Sequence, residues 1–432
     1  MTSLLIFSCL CVAIGGAMVF WHQAKTKTSE PTATNGEDGF SGEMLAALKE
    51  LYPDVPFEYI QPQDMIEPIE AYDGELKYKF FLGNLRNRAR DMGQKDRHDY
   101  IREMILTFTD RSEITDEELK SALYLRARTP SELHLRDILL DDLDRKDGTI
   151  AAMQRGDILL ETVMDINNGV RVMDAETLKE HGLDLEEAFN LAATNLLRST
   201  PDTTEALWEK VSKNIWISKL NDDYDAARMF TFPEHMHLPF KGQATAYAPA
   251  HAILLITDKR EEETLDRMVK FGNDAAETQR LLSNALWGQT IDGWERLTST
   301  NRSSIIWQAG FADDNMAYAE QKNLLEQVFE KKEKDIFVAS VMAAQEDGGD
   351  IYTMAVFIGA HGYLPIVDYV VLTLENPPED RDSLKLPWSR FVDIMGPDRL
   401  KAVPGLLPKR LVFEGELPEA VKQQLIAAAA PL

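Results

Sequence analysis

The spacing of apolar residues predicts a chain in which strands come in antiparallel runs and helices come in blocks. Apolar positions recur at helical intervals over residues 43–51, 261–281 and 314–332 and in the final stretch "ELPEAVKQQLIAAAA". Short apolar runs predict strands at 214–220, 226–232, 244–248, 251–257, 335–345, 350–358 and 366–374. This order is typical of an α+β fold with mixed, mostly antiparallel sheets rather than of a doubly wound parallel sheet.

Two turns predict β-hairpins. Asn167-Asn168-Gly169 separates the apolar runs "GDILLETVMDI" and "GVRVM", and "EDGGD" at 346–350 separates two further runs. Asn-Gly and similar pairs adopt the positive φ angles that tight hairpin turns require. We therefore expect an antiparallel strand pair on each side of these turns.

The stretch "DAETLKEHGLDLEEAF" predicts two consecutive helices. Asp174 is placed to open a short helix that stops at Gly182, and Asp184 is placed to cap a second helix with Glu187 three residues later. Apolar residues then recur at helical spacing at Leu185, Ala188, Phe189, Ala192 and Leu196.

Residues 4–21 form an uncharged apolar run that ends in Trp21. Eighteen residues at about 1.5 Å each span roughly 27 Å, close to the bilayer core of about 30 Å. A cleaved signal peptide is the alternative, but no Lys or Arg precedes the run. The pattern favours a single-pass membrane anchor. Lys25 and Lys27 follow it and place the body in the cytoplasm, with the periplasm as the alternative.

Length and composition predict several parts. A chain of 432 residues exceeds the size of a single hydrophobic core. We predict a transmembrane anchor at 1–24, a flexible tether at 25–42, a helix-rich charged region at 43–150, an α+β unit at 151–300, and a second α+β unit with a C-terminal helix at 301–432.

The charge balance narrows the range of partners. The net charge of −26 opposes binding to phosphate backbones, so nucleic acid is excluded as a first hypothesis. The membrane, through the N-terminal helix, and an unidentified protein or small ligand remain as expected partners. Both cysteines, Cys9 and Cys11, lie in the apolar run, so the body has no disulfide framework, no cysteine zinc site and no cysteine nucleophile.

Six segments of the body are similar to one known family. They are "FFLGNLRNRARD" (80–91), "GVRVMDAETLKEHGLDLEEAFNLAATNLL" (169–197), "YDAARMF" (224–230), "GQATAYAPAHAILLITD" (242–258), "GYLPIVDYVVL" (362–372) and "PGLLPKRLVF" (404–413). Over roughly residues 75–415 the chain resembles the YtpQ-like family of bacterial proteins, domain of unknown function 1444. The chain departs from that pattern at Ala250-His251-Ala252, where the family prefers an Arg-Asp pair after the proline at 249. The resemblance implies no established activity.

The stretch "PEHMHLPF" (233–240) is the first candidate for metal chemistry. His235 and His237 would project from the same side of an extended segment, and Glu234 or His251 would have to complete a ligand set. Isolated His-x-His pairs seldom have a converging third ligand. We therefore expect a polar loop with exposed imidazoles, no metal and no cofactor.

Other acidic motifs also have structural explanations. "DDLDRKDG" (141–148) imitates a calcium loop, but Lys146 occupies the fifth position counted from Asp142, and no Glu occupies the twelfth. Adjacent acids at Asp222-Asp223 and Asp313-Asp314 are expected by chance among 72 acidic residues. Asn301 begins the glycosylation pattern "NRS", which has meaning only in a secreted protein.

Two charged positions keep two interpretations each. Asp368 is the one charge in an apolar run, so it either caps a turn or pairs with an arginine, or else lines a ligand cleft. Asp225 and Arg228 form either an ion pair or a site. The sequence names no catalytic residue. We therefore predict a binding or regulatory module, with a hydrolase built from dispersed acids and histidines as the alternative.

Overall fold

In the computed structural model the chain divides into two compact units. The first contains residues 1–123, 164–171 and 277–280, and the second contains 124–163, 172–276 and 281–432. The structure describes residues 39–60, 65–69, 80–90, 92–109, 114–129, 152–155, 158–166, 169–232, 235–277, 279, 281–291, 293–345, 351–373, 384–404 and 406–431.

The first unit packs helices against a small antiparallel sheet. Its elements up to residue 122 are α1 (Phe40–Leu51), β1 (Phe57–Ile60), β2 (Met65–Pro68), β3 (Phe80–Phe81), α2 (Leu82–Ala89), α3 (Gln94–Thr109) and α4 (Asp116–Ala122). The strands follow the order β1-β2-β3. Met44 and Leu48 of α1 meet Ile101 and Ile105 of α3 in the core, because both helices carry an apolar stripe at 3.6-residue spacing.

A sheet of four strands comes next along the chain. It contains β4 (Leu123–Arg128), β5 (Ala152–Arg155), β6 (Ile158–Ile166) and β7 (Gly169–Val172). The order is β4-β6-β5, and β7 pairs with β6. The strands on both sides of the Asn167-Asn168 turn are confirmed, although the two asparagines lie outside the described residues.

The next part of the second unit is organised around a six-stranded antiparallel sheet. Its elements are α5 (Ala175–Glu180), α6 (Leu185–Arg198), α7 (Thr204–Leu207), β8 (Trp208–Ser212), β9 (Ile215–Ser218), α8 (Asp225–Thr231), β10 (Thr245–Ala250), β11 (Ile253–Thr257), α9 (Glu262–Ala275), β12 (Leu286–Thr290) and β13 (Gly293–Arg296). The strand order is β13-β12-β10-β11-β9-β8. Helix α9 packs on β10 and β11, and its Leu265 and Met268 are fully buried.

The C-terminal part of the second unit contains two further sheets. Its elements are α10 (Ile305–Lys331), β14 (Phe337–Val338), β15 (Met342–Gln345), β16 (Ile351–Phe357), β17 (Gly362–Pro365), β18 (Tyr369–Leu372), β19 (Leu384–Pro387), α11 (Trp388–Met395), β20 (Leu400–Ala402), β21 (Arg410–Phe413), α12 (Glu419–Ala428) and β22 (Ala430–Pro431). The sheet orders are β14-β17-β21-β20 and β15-β16-β18-β19-β22. The pairs β14–β17 and β16–β18 are parallel, and the other recorded pairs in these sheets are antiparallel.

The predicted α+β class with mostly antiparallel sheets is confirmed. The helix pair after residue 174 also has the predicted caps. The Asp174 carboxylate accepts the Thr177 N–H at 2.7 Å, and Gly182 has a φ of 72°. Asp184 and Glu187 form a reciprocal capping box. Leu185 differs from the other predicted positions of α6, because it is 49% exposed while Ala188, Phe189, Ala192 and Leu196 are buried.

Two predicted elements are corrected by the structure. Residues 226–232, predicted as a strand, belong mostly to helix α8. Residues 226–230 are buried throughout, so they show no amphipathic period that would distinguish a helix from a strand. The helix predicted at 314–332 begins at Ile305, where the Ser304 side chain caps the Trp307 N–H.

The prediction of a single-pass transmembrane protein is contradicted. Among residues 39–431, apart from the gaps given above, no helix combines the length and the apolar character needed to cross a bilayer. Residues 4–21, which carried the prediction, lie outside the described residues, as does the tether up to residue 38. The predicted boundaries at 150 and 300 stay predictions.

Candidate functional site

An open cleft of about 810 Å³ lies in the second unit. Five segments line it: the β12–β13 hairpin, the loop after β13, the first half of α10, the strand region around Thr353 and Asp368, and Pro408-Lys409. Its size falls in the range of about 300–1,000 Å³ that is usual for ligand sites.

Aromatic side chains form one side of this cleft. Trp307 and Phe311 lie one turn apart on α10, and their rings stack with centroids 5.3 Å apart and planes 5° apart. The Arg302 guanidinium lies 5.6 Å from the centroid of Trp307. The three side chains therefore hold one another in place and form an aromatic surface in the cleft.

The other side is fixed by a bidentate ion pair. Arg302 Nη1 and Nη2 each donate to a different oxygen of Asp368 at 2.6 Å. Asp368 also accepts the Thr353 N–H at 2.7 Å and the Thr353 hydroxyl at 2.8 Å. Partial burial favours the neutral acid, but the hydrogen bonds from Arg302 and Thr353 outweigh it and hold the pKa of Asp368 below its ordinary value. Asp368 is therefore a carboxylate at neutral pH. It pairs with an arginine and also lines the cleft, so both interpretations of this residue apply.

A second arginine ties the hairpin to α10. Arg296 donates to Asp314 at 2.8 Å and to the Gly310 carbonyl at 2.6 Å, and it lies 3.8 Å from Asp313. Burial raises the pKa of Asp313, although Arg296 and the Asn284 N–H act in the opposite direction. The predicted acid pair Asp313-Asp314 therefore serves the packing of α10, and Asp314 alone of the two lines the cleft.

A buried arginine, Arg410, contacts one of the residues that line the cleft. Arg410 has no exposed surface, and its guanidinium donates to Gln321 and to the carbonyls of Ala339 and Tyr318, each at 2.8 Å. It lies 4.9 Å from the centroid of Tyr318, a lining residue. Burial lowers the pKa of Arg410 to about 10, so it stays charged at neutral pH. All its hydrogen-bond acceptors in the described part of the chain are neutral.

Two tryptophans in the lining have unsatisfied donors. Trp287 is 1% exposed, and neither its Nε1 nor the Nε1 of Trp294 has an acceptor among the described residues. Both nitrogens are shielded from water. Buried donors are nearly always paired in folded proteins, so two unpaired ones in a single cleft wall are unusual.

The histidines named by the sequence do not line this cleft. His235 and His237 are exposed. Two hydrogen bonds of 2.8 Å fix their loop: Trp208 Nε1 donates to the Met236 carbonyl, and the Thr204 hydroxyl donates to the His237 carbonyl. The His251 carbonyl accepts the Ala226 N–H at 3.2 Å. Within the described part of the chain, no group of three or more His, Cys, Asp or Glu residues is placed to hold a metal ion. Glu234 and the 141–148 motif lie outside it.

Asp225 and Arg228 form a buried network away from the cleft lining. Arg228 is 1% exposed and donates to the two oxygens of Asp222 at 2.5 and 2.7 Å, and to Thr200 at 3.0 Å. It lies 3.4 Å from Asp225, whose Oδ1 also accepts the Ser218 hydroxyl at 2.7 Å. The ion-pair interpretation therefore describes Arg228 and Asp222 best, and Asp225 is a weaker partner. Asn301 is exposed beside the start of α10, where its carbonyl accepts the Ser304 hydroxyl.

The sequence did not identify most of the lining. Trp294 and Arg296 project from one face of β13, because alternate residues of a strand share a face. Trp287, on the neighbouring strand β12, lies directly opposite Arg296. Trp307 and Phe311 are four residues apart on α10. An aromatic pair at helical spacing directly after a helix cap was the available signal for this surface.

Comparisons of the chain with protein-family models, with curated proteins and with solved structures found no match. The resemblance to the YtpQ-like family therefore stays a prediction.

Proposed function

We propose that this chain is a binding module and that the cleft beside Trp307 and Phe311 is its ligand site. The observation that carries the proposal is the combination of a stacked aromatic pair with a bidentate Arg302–Asp368 pair in one open cleft of about 810 Å³. Flat apolar surface gives affinity, and a few fixed polar groups give orientation.

The chemistry of the lining supports binding over catalysis. Asp368 uses its oxygens on Arg302 and Thr353, and its lowered pKa keeps it from acting as a general acid at neutral pH. None of the lining residues recorded for the described chain is a histidine or a cysteine. The hydrolase alternative rests on dispersed acids and histidines, and the histidines His235, His237 and His251 do not line the cleft.

A fragment screen can test the site directly. The full chain, a rim variant and a matched control would be screened by saturation-transfer NMR against a library of aromatic and heterocyclic fragments. Ile366 lines the cleft and is 46% exposed, so Ile366→Glu places a charge at the rim. Ile291 is 99% exposed at the β12–β13 turn and does not line the cleft, so Ile291→Glu is the matched control.

Both substitutions are at exposed positions and should change stability by less than about 0.5 kcal/mol. We expect fragments that bind the wild type and Ile291→Glu but not Ile366→Glu. Fragment binding that is equal in the two variants would show that the cleft is not the binding site, and the proposal would then be abandoned.

A further inference from the structure

Resting on the proposed binding function, we propose that the ligand is a proline-rich peptide segment in the polyproline II conformation, flanked by a basic residue. The proposal stands on three features: the aromatic lining of the cleft, its unsatisfied donors, and the negative charge of the chain with an exposed acid, Glu295, in the lining.

The aromatic lining suits proline rings. Trp294, Trp307, Phe311 and Tyr318 line the cleft together with the partly exposed Ile366. Polyproline II helices present stiff apolar ridges and lose little conformational entropy on binding, and aromatic-lined grooves are the usual surface that accepts them. A preformed ligand reduces the entropic cost of association.

Among its buried side-chain atoms in the described chain, the lining of the cleft offers more hydrogen-bond donors without a partner than acceptors, which favours a ligand rich in acceptors. Trp287 and Trp294 each contribute an indole N–H without an acceptor, whereas Asp368 already accepts from Arg302 and Thr353. A proline-rich segment brings carbonyl oxygens and few N–H groups, because proline has no amide hydrogen. Each indole nitrogen is shielded from water, so a side-chain rotation in the lining must accompany binding. A sugar brings as many hydroxyl donors as acceptors and fits this wall less well.

The charge of the rim indicates the flanking residue. Glu295 is exposed, whereas Asp314 pairs with Arg296 at 2.8 Å, and Lys409 is an exposed base in the same lining. The whole chain carries −26, which repels polyanions and attracts cationic segments. A Lys or Arg next to the prolines would meet Glu295 at the edge of the cleft.

A display selection tests the peptide class. The full-length wild type, Ile366→Glu and Ile291→Glu would each be used to select from a library of random ten-residue peptides, alongside a neutral oligosaccharide array that includes cellohexaose. We expect the wild type and Ile291→Glu to enrich peptides with spaced prolines beside a Lys or Arg, and Ile366→Glu to lose this enrichment. Enriched peptides without proline, equal enrichment on Ile366→Glu, or no enriched peptide would each overturn the proposal.

The same selection separates the two proposals. Cellohexaose binding that Ile366→Glu abolishes would overturn the peptide and leave the binding cleft in place. Absence of any Ile366-sensitive ligand, in this selection and in the fragment screen, would overturn both.

Trp294→Phe supplies a second, structural test with an enriched peptide. The substitution keeps an aromatic ring and removes a donor that has no partner in the described chain, so thermal stability should not fall. We expect the affinity for the enriched peptide, measured by fluorescence anisotropy, to fall on the order of fivefold, as for one lost hydrogen bond. Unchanged affinity would refute the role assigned to the indole N–H.

Discussion

Replacing Asp225 with asparagine is expected to stabilise the second unit at alkaline pH. Asp225 has no exposed surface, and its Oδ2 has no hydrogen-bond partner among the described residues. Burial raises its pKa from 3.8 to about 7, even though Ser218 and Arg228 act to lower it. Arg228 compensates little, because its short hydrogen bonds go to Asp222 and its distance to Asp225 is 3.4 Å.

The expected size follows from linkage. A rise from 3.8 to about 7 corresponds to about 4 kcal/mol at 1.36 kcal/mol per pKa unit. The native state holds this proton to higher pH than the unfolded chain does. Wild-type stability therefore falls as the pH rises from about 4 to about 7, and the full penalty remains above that window. Asparagine stays neutral but buries an amide that lacks an acceptor, at a cost of about 1–3 kcal/mol. The net gain should be about 2 kcal/mol at pH 8. At pH 4 the native carboxyl is protonated and little of the penalty remains, so the amide cost prevails and Asp225→Asn should be less stable than the wild type by about 1–2 kcal/mol.

Urea unfolding followed by tryptophan fluorescence at pH 4, 6 and 8 measures this effect. Every tryptophan except Trp21 lies in the second unit, so the signal reports on that unit. Asp222→Asn is the control, because it removes the negative charge and one of the two acceptor oxygens that Asp222 offers Arg228, and it should cost about 2 kcal/mol at pH 8. If Asp225→Asn is less stable than the wild type at pH 8, Asp225 is ionised and paired with Arg228, and the reasoning is wrong.

Three further substitutions test the local structure by chemical denaturation. Gly182→Val should destabilise the second unit by about 2 kcal/mol, because φ is 72° at this position and a β-branched residue is strained there. The strain comes from the backbone alone, since no atom lies within 4 Å of an added Cβ, and an unchanged unfolding midpoint would contradict the prediction. The double variant His235→Ala with His237→Ala should change stability by less than about 0.5 kcal/mol, because both side chains are exposed. Stoichiometric zinc in the purified wild type that is lost in the double variant would contradict this prediction. Arg410→Met should cost about 3 kcal/mol or more, as it leaves three acceptors unpaired in a buried site, and a loss below 1 kcal/mol would show that water replaces the guanidinium.

Local signals made part of the fold predictable. The two helices around Gly182 each begin at an aspartate whose side chain accepts a hydrogen bond from the backbone three positions later. The Asp184 carboxylate, for example, accepts the Glu187 N–H at 2.8 Å. Such caps work through neighbouring backbone groups, so they are visible in the sequence. Helix α8 was missed for the opposite reason. It is buried from Asp225 to Phe230, and a segment buried on all sides carries no period that separates helix from strand.

The cleft could be predicted only in fragments. Asp368 attracted attention as a lone charge in an apolar run, and pairing with an arginine was one of the interpretations it left open. Its partner Arg302 lies 66 residues earlier, and no local pattern links the two. Trp294 and Trp307 come from a strand and a helix, so only the tertiary structure brings them to one surface.

Helix α10 has a mechanical consequence for the cleft. It runs without interruption for 27 residues, about 40 Å, with Ile305 and Ala309 in the core of the six-stranded sheet and Leu325 and Val328 in the core beside β14. A sharp kink in such a helix requires a proline, a bulge or an inserted side chain. The backbone of Trp307 and Phe311 therefore moves together with the rest of α10. We expect a change in the tilt of α10 to alter the width of the cleft at its first half and the packing beside β14 at its second half together.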